Sequence, residues 1–293
     1  MSHRLPTVAA ISAGAALLAM FVSPAAAQDE PLSLRLPKEE KVVYRGVVSF
    51  DAAGTGAGNI MYPAPNAAGL LVAIITHGVI MESAREMQKN RMQSDADRVL
   101  SPYEAVLKDY SYNDLAQRAL KRMTARGTKR LLQVSESPDA ERMIEGTPVF
   151  FMTQDQSALV LDSTVTIHAP GAATPAYQNT VRVVSKAREE ENIVDFWNAD
   201  QGEALKEQSA ILLAEAMDIA VRALLAGASS DGNPSRTIRY MEGKTEKMER
   251  GQLMSEHCGR VVIKNLRGWL MSVPVRPAAT PASACNEKQP EEK

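Results

Sequence analysis

The chain has 293 residues, with 33 Lys and Arg against 35 Asp and Glu and a formal charge of −2. Near-neutrality, with both signs mixed along the chain, excludes a nucleic-acid binder, because that class gains its affinity by neutralising phosphates. Aromatic residues make up 5%, so the core has to be built from aliphatic side chains and Met.

The first residues, "MSHRLPTVAAISAGAALLAMFVSPAAA", carry Arg4, an apolar run from Val8 to Val22, and the small residues Ala25, Ala26 and Ala27. This pattern is that of a secretory signal peptide over residues 1–27, cleaved after Ala27. Loss of Arg4 leaves 32 basic against 35 acidic residues, a charge of −3. No cysteine follows the apolar run, so a lipid anchor at the new N-terminus is not expected. The expected location is the periplasm. Residues 28–40 are polar and Pro-punctuated and read as a disordered linker. Residues 274–293, Pro/Ala-rich and then charged, read as a disordered tail.

Between these ends the periodicity alternates. "KVVYRGVVSF" is β-branched and aromatic and predicts a strand, and "DAAGTGAGNIMYPAPN" predicts a loop. The apolar stretch Ala67–Met81 comes next and is expected to continue as helix toward Leu100, since no Pro or Gly interrupts 79–100. Ser101-Pro102-Tyr103-Glu104 predicts a fresh capped helix start. Ser111-x-x-Asp114 predicts a second start at Tyr112, with Leu115, Ala119, Leu120 and Met123 on its apolar side. "KRLLQV" reads as a strand, "DAERMI" as a helical turn, and "TPVFFMT", "ALVLDSTVTIHA" and "NTVRVVSKA" as strands, the first two in a hairpin. Asp200-x-x-Glu203 predicts the cap of a helix that runs to Gly227 along a Leu205, Leu212, Ala216, Ile219 and Ala223 stripe. "RTIRYM", "EKMERGQLMSE", "GRVVIKN" and "GWLMSV" predict closing strands. The expected fold is α+β, with helices packed on one face of a mostly antiparallel sheet. The expected body is an α/β domain over 41–228, with the strands of 229–273 belonging to it.

Few residues point to chemistry. "GTGAGN" has GxGxG rather than GxGxxG spacing and is separated from the helix by Pro63 and Pro65, so it reads as a surface loop. His168, His257 and Glu256 are the acid/base groups an unrecognised active site would use. Adjacent residues on a strand point to opposite faces, so His257-Cys258 reads as a poor chelate. No cofactor or metal is expected. Cys258 and Cys285 are left either as a disulfide or as two thiols. Glu189, Glu190 and Glu191 read as a solvated turn, and Trp197 as a buried indole.

The apolar stretch is the remaining candidate. Fifteen uncharged residues, Ala67–Met81, fall short of the roughly 20 a spanning helix needs. As a helix the stretch is apolar nearly all round, and it must be covered by a core, by a partner or second copy, or by a membrane surface. Leu70, Ile74, His77 and Val79 are the contact residues this reading selects.

The signal peptide, the element order from Lys41 to about Gly227 and the capped helix at 203–226 resemble the α/β modules of bacterial envelope accessory proteins, the group that includes the curli secretion channel's periplasmic domain and the lipoprotein activators of cell-wall synthases. The resemblance is one of element order, and no functional residue is carried over. It implies a non-catalytic periplasmic protein that binds or assembles with envelope components, through an envelope protein or through self-association. The alternatives are a periplasmic enzyme and a membrane-associating protein.

Overall fold

The computed structural model describes residues 31–37, 41–48, 84–133, 136, 141–227 and 233–275. The signal peptide, the contact residues Leu70, Ile74, His77 and Val79, the "GTGAGN" loop and Cys285 lie outside the described residues.

The body is a 10-stranded sheet with helices against it. The strands are β1 Leu32–Arg35, β2 Val43–Gly46, β3 Lys129–Leu131, β4 Arg142–Met152, β5 Leu159–His168, β6 Tyr177–Val184, β7 Ser235–Glu242, β8 Thr245–His257, β9 Arg260–Asn265 and β10 Leu270–Pro274. Their order is β3-β1-β4-β5-β6-β10-β9-β8-β7, and β2 also pairs with β4. The β4–β5, β5–β6, β7–β8, β8–β9 and β9–β10 pairs are antiparallel. The parallel pairs are β1 with β3 and β4, β2 with β4, and β6 with β10. The last four strands therefore continue the same sheet. The helices are α1 Ala84–Asp97, α2 Glu104–Lys108, α3 Tyr112–Arg122 and α4 Ile193–Ala226, with a 3-10 segment over Arg98–Tyr103. The fold is thus the expected mixed α/β class.

Strand alternation explains how the core divides. Leu159, Leu161, Val165 and Ile167 of β5 face the helices with Ile144 and Phe150 of β4 and Val181 and Val183 of β6. They meet Leu205, Leu212, Leu213, Ala216 and Met217 of α4, and Leu115, Ala116 and Ala119 of α3. A Cβ on Gly146 would lie 2.4 Å from Met217 Cε, so glycine makes room for that side chain. Val160 and Val184 point the other way and form a smaller core with Ile238, Tyr240, Val261, Ile263, Met271 and Val273.

Four expectations need correction. Residues 28–40 are not wholly a linker, because Leu32–Arg35 is a strand between β3 and β4. Leu32 and Leu34 are buried there, and two apolar residues at a spacing of two suffice for a short inner strand. "DAERMI" is not a helical turn across its length, since Arg142, Met143 and Ile144 begin β4 and Ile144 is fully buried. Ser101 does not cap a helix. The chain takes a 3-10 turn through Pro102 and enters α2 at Glu104, with Tyr103 buried and its hydroxyl donating to Gln156 Oε1. Asp200 is not an N-cap either. α4 begins at Ile193, capped by Asn192, and breaks at Ala199–Gly202. The buried Trp197 pins this earlier turn, its Nε1–H donating to the Gln156 carbonyl at 2.7 Å.

One carboxylate links two turns of the sheet. Asp155, in the β4–β5 turn, accepts from Thr153 Oγ1, from the amide and hydroxyl of Ser157, and from the Lys244 amide in the β7–β8 turn at 2.6 Å. Partial burial opposes its charge, but these hydrogen bonds outweigh that and hold its pKa below the usual carboxylate value. Its contribution is therefore complete above the unfolded carboxylate's pKa and is lost as pH falls through the folded one. Asp155→Asn should cost about 1 kcal/mol at pH 7, discounted for partial solvation, and should flatten the acid limb below about pH 4. Urea melts from pH 7 to pH 3 read this directly, and an unchanged acid limb would contradict it.

Candidate functional site

The αL break in α4 sets the geometry of a charged groove. Asp200, Gln201 and Gly202 have φ of 50°, 60° and 79°, conformations that L-residues avoid. At Gly202 a Cβ would fall 2.1 Å from Val106 Cγ1 of α2, so close packing as well as dihedral selects glycine. The helix restarts immediately afterwards, which brings Glu203 and Glu207, one turn apart, against α3.

On α3, Asp114, Lys121 and Arg122 each lie three to four residues from Arg118 and so neighbour it on the helix surface. The expected cap is present at its start: Ser111 Oγ accepts from the Asp114 amide at 3.1 Å. Arg118 is the centre. Its Nε donates to Asp114 Oδ1 at 3.0 Å, and its Nη1 to Glu203 Oε1 at 2.5 Å, with Glu207 Oε2 at 4.0 Å. Arg122 Nε pairs with Glu207 Oε1 at 2.6 Å. Gln117 and Lys121 complete the lining. The hydrogen bond to Glu203 raises the Arg118 pKa, burial pulls the other way, and Asp114 adds to the rise. The Arg118 hydrogen bond likewise lowers the Glu203 pKa against a smaller desolvation effect.

This groove offers three cationic and three anionic side chains and one amide in a fixed pattern. The Arg118 hydrogen bond holds Glu203 below the usual carboxylate range, which makes Glu203 a poor proton donor near pH 7. The groove is suited to polar recognition, where patterned charges set register and on-rate.

The groove depends on the spacing of α3 and α4, and Asp218 of α4 holds that spacing. It accepts from the Thr124 amide at 2.7 Å, the Thr124 hydroxyl at 2.6 Å and the Ala125 amide at 3.0 Å, just past the end of α3.

The acid/base candidates do not converge. His168 Nε2 lies 3.5 Å from Glu145 Oε2 at the end of β5. Glu256 Oε2 lies 3.9 Å from Arg236 Nη2 at the end of β8. His257 and Cys258 depart from expectation. Cys258 is not in the strand but in the β8–β9 turn, where Cys258 and Gly259 have φ of 49° and 72° and His257 pairs with Arg260. Two consecutive positive φ values are those of a type I′ hairpin. The turn swings the thiol round, so that Sγ lies 3.1 Å from His257 Nε2. Glu189, Glu190 and Glu191 are exposed. Among the described residues no group of three or more His, Cys, Asp or Glu side chains could hold a metal, and no helix is long and apolar enough to cross a membrane.

Sequence reasoning missed the groove residues. Asp114/Arg118 and Glu203/Glu207 are visible as i,i+4 pairs, but such pairs are common on solvated helix faces. Nothing local states that the two faces meet.

No family model matches the chain, and no curated protein does. Among solved structures, one described as "Crystal structure of uncharacterized protein" is similar at a TM-score of 0.27 and 8% identity, covering 66% of this chain and 92% of that one. A likeness at that level carries no argument about fold or function.

Proposed function

We propose that this chain is a non-catalytic periplasmic protein that binds or assembles with cell-envelope components, and that the groove between α3 and α4 is a contact surface. The observation that carries this reading is the Arg118 network. Five charged side chains from two helices are joined in one pattern on an open surface, with Lys121 at its rim and no histidine, serine or cysteine among the lining residues. The export signal in the first residues supports the compartment.

Photo-crosslinking in cells tests the surface. A crosslinking residue at Gln117, exposed in the groove, should give a discrete adduct, and one at Thr237, exposed on β7, should not. Lys121→Glu should cut the Gln117 adduct at least about tenfold without changing the melting curve, since rim charges act on association more than on folding. Equal adducts from both positions, or an adduct indifferent to Lys121→Glu, would remove the groove from the proposal.

A further inference from the structure

We propose that the outer face of β7–β9, together with the β9–β10 turn, docks on an anionic phospholipid surface. The strand registers gather its side chains. Arg239 lies opposite Met248, Thr237 opposite Arg250, and Gln252 opposite Lys264. Partners across a ladder share a face, as do residues two apart, so Arg239, Met248, Arg250 and Lys264 stand together. The inner face of β7 carries the buried Ile238, Tyr240 and Glu242. Leu266 joins the outer face one residue past β9, where its amide donates to the Arg250 carbonyl at 3.3 Å. Arg267 follows, its guanidinium carbon 5.8 Å from the centre of the Trp269 ring.

Two observations select the partner. The first is fixed apolar exposure. Met248 and Leu266 keep 62% and 69% of their surface in solvent. The turn that carries Leu266 is tied down by the buried Asn265. Asn265 Oδ1 accepts from the Arg267 and Trp269 amides at 3.0 Å each, and its carbonyl accepts from the Gly268 amide at 2.9 Å. Asn179 Nδ2 donates to the Gly268 carbonyl at 3.0 Å. The leucine is thus held outward before any partner arrives, and docking costs little ordering entropy. The second is charge. Arg239, Arg250, Lys264 and Arg267 outnumber the carboxylate of Glu246, which lies 3.2 Å from Arg239 Nη1. Among the described residues no carboxylate pairs with Arg250 or Arg267. Separated apolar side chains set among cations, with an indole at the turn, fit a bilayer interface. The aliphatic groups enter the headgroup boundary, and the cations meet phosphates. A protein partner calls instead for a continuous apolar centre with a polar rim. This surface is built from other elements than the groove between α3 and α4, and its test uses lipid alone, so the two proposals stand or fail separately.

The test floats the purified full chain with vesicles of mixed phosphatidylglycerol and phosphatidylcholine, and with vesicles of phosphatidylcholine alone. The expected result is flotation with the mixed vesicles only, reversed when salt rises from about 0.05 to about 0.5 M. Brominated acyl chains should quench Trp269 and leave the fully buried Trp197 untouched, so Trp269→Phe should abolish the quenching. Leu266→Ser, and separately Arg250→Glu with Arg267→Glu, should lower the partition coefficient at least about tenfold with an unchanged melting curve. Absence of flotation, equal flotation with both vesicle types, or flotation unchanged in these variants would overturn the proposal. A lipid-free native mass that falls with Leu266→Ser would replace the bilayer with a second copy. Capture on immobilised polyglutamate that mixed vesicles do not compete would replace it with an acidic protein.

Discussion

Arg182→Leu is expected to be the most destabilising single change on the face of the sheet away from the helices. Arg182 Nε and Nη2 each lie 2.6 Å from a different oxygen of Asp162, a two-pronged pair across β5 and β6. The side chains keep 29% and 11% of their exposure. Burial works against the Arg182 charge, but Asp162, and at longer range Glu242 and Tyr240, more than offset it, so its pKa is raised. Removing the arginine leaves the Asp162 carboxylate poorly solvated and without its partner, and removes the cation that the buried Glu242 also acts on. A broken buried pair costs about 3–5 kcal/mol, and the partial exposure here puts the expectation at about 3 kcal/mol at pH 7.

The double variant Asp162→Val/Arg182→Leu should recover most of the loss at pH 7, because two apolar neighbours replace the stranded charge. Guanidinium melts of the wild type, both single variants and the double variant close the cycle. A cost below about 1 kcal/mol for Arg182→Leu would show that water reaches the pair freely.

Gly46→Ala should undock α1. Gly46 ends β2, and a Cβ built there lies 2.0 Å from the Ala96 carbonyl oxygen and 2.4 Å from its carbon. Both are backbone atoms of α1, so no rotamer change relieves the clash and the helix must move as a body. That movement stretches the contacts that seat it. The Gly46 amide donates to Asp97 Oδ1 at 2.8 Å, Arg45 Nη1 pairs with Asp97 Oδ2 at 2.6 Å, and Gln93 Nε2 donates to the Gly46 carbonyl at 3.0 Å. Overpacking of this kind costs about 1–3 kcal/mol, and the hydrogen bonds place this site at the upper end. Hydrogen exchange should show protection lost over 91–97 and 43–46 and kept over α4. Uniform loss of protection would mean that α1 is part of the global folding unit rather than a docked element.

Much of the fold is legible in the sequence because its strands and main helix obey simple periods. The closing strands β7–β10 fall on "RTIRYM", "EKMERGQLMSE", "GRVVIKN" and "GWLMSV", and α3 begins at Tyr112, where Ser111-x-x-Asp114 places it. The departures share a physical cause, which is long-range pairing. Leu32–Arg35 is too short to announce itself and becomes a strand because β3 and β4 flank it. Asp200-x-x-Glu203 has the composition of a cap, but the buried indole of Trp197 holds a helical turn in front of it and forces Asp200 into the left-handed region. The candidate groove was less legible than the fold. Its charges are visible one helix at a time, and their convergence depends on the α4 break and on Asp218, neither of which has a local signature. The pairing of His257 with Cys258 escaped the strand rule for a simpler reason: Cys258-Gly259 is a two-residue I′ turn, and alternation stops where a turn begins.

The proposal of an exported binding protein is tested by the chain's native mass in the cell. Cells expressing the chain would be opened by osmotic shock, with the released fluid and carbonate-washed membranes resolved by native mass. The expected result is a processed chain in the released fluid, in a complex heavier than one copy that shrinks to a single copy with Lys121→Glu. A processed chain that runs as one copy in every fraction would contradict it, as would a chain retained in the cytoplasm with residues 1–27 intact.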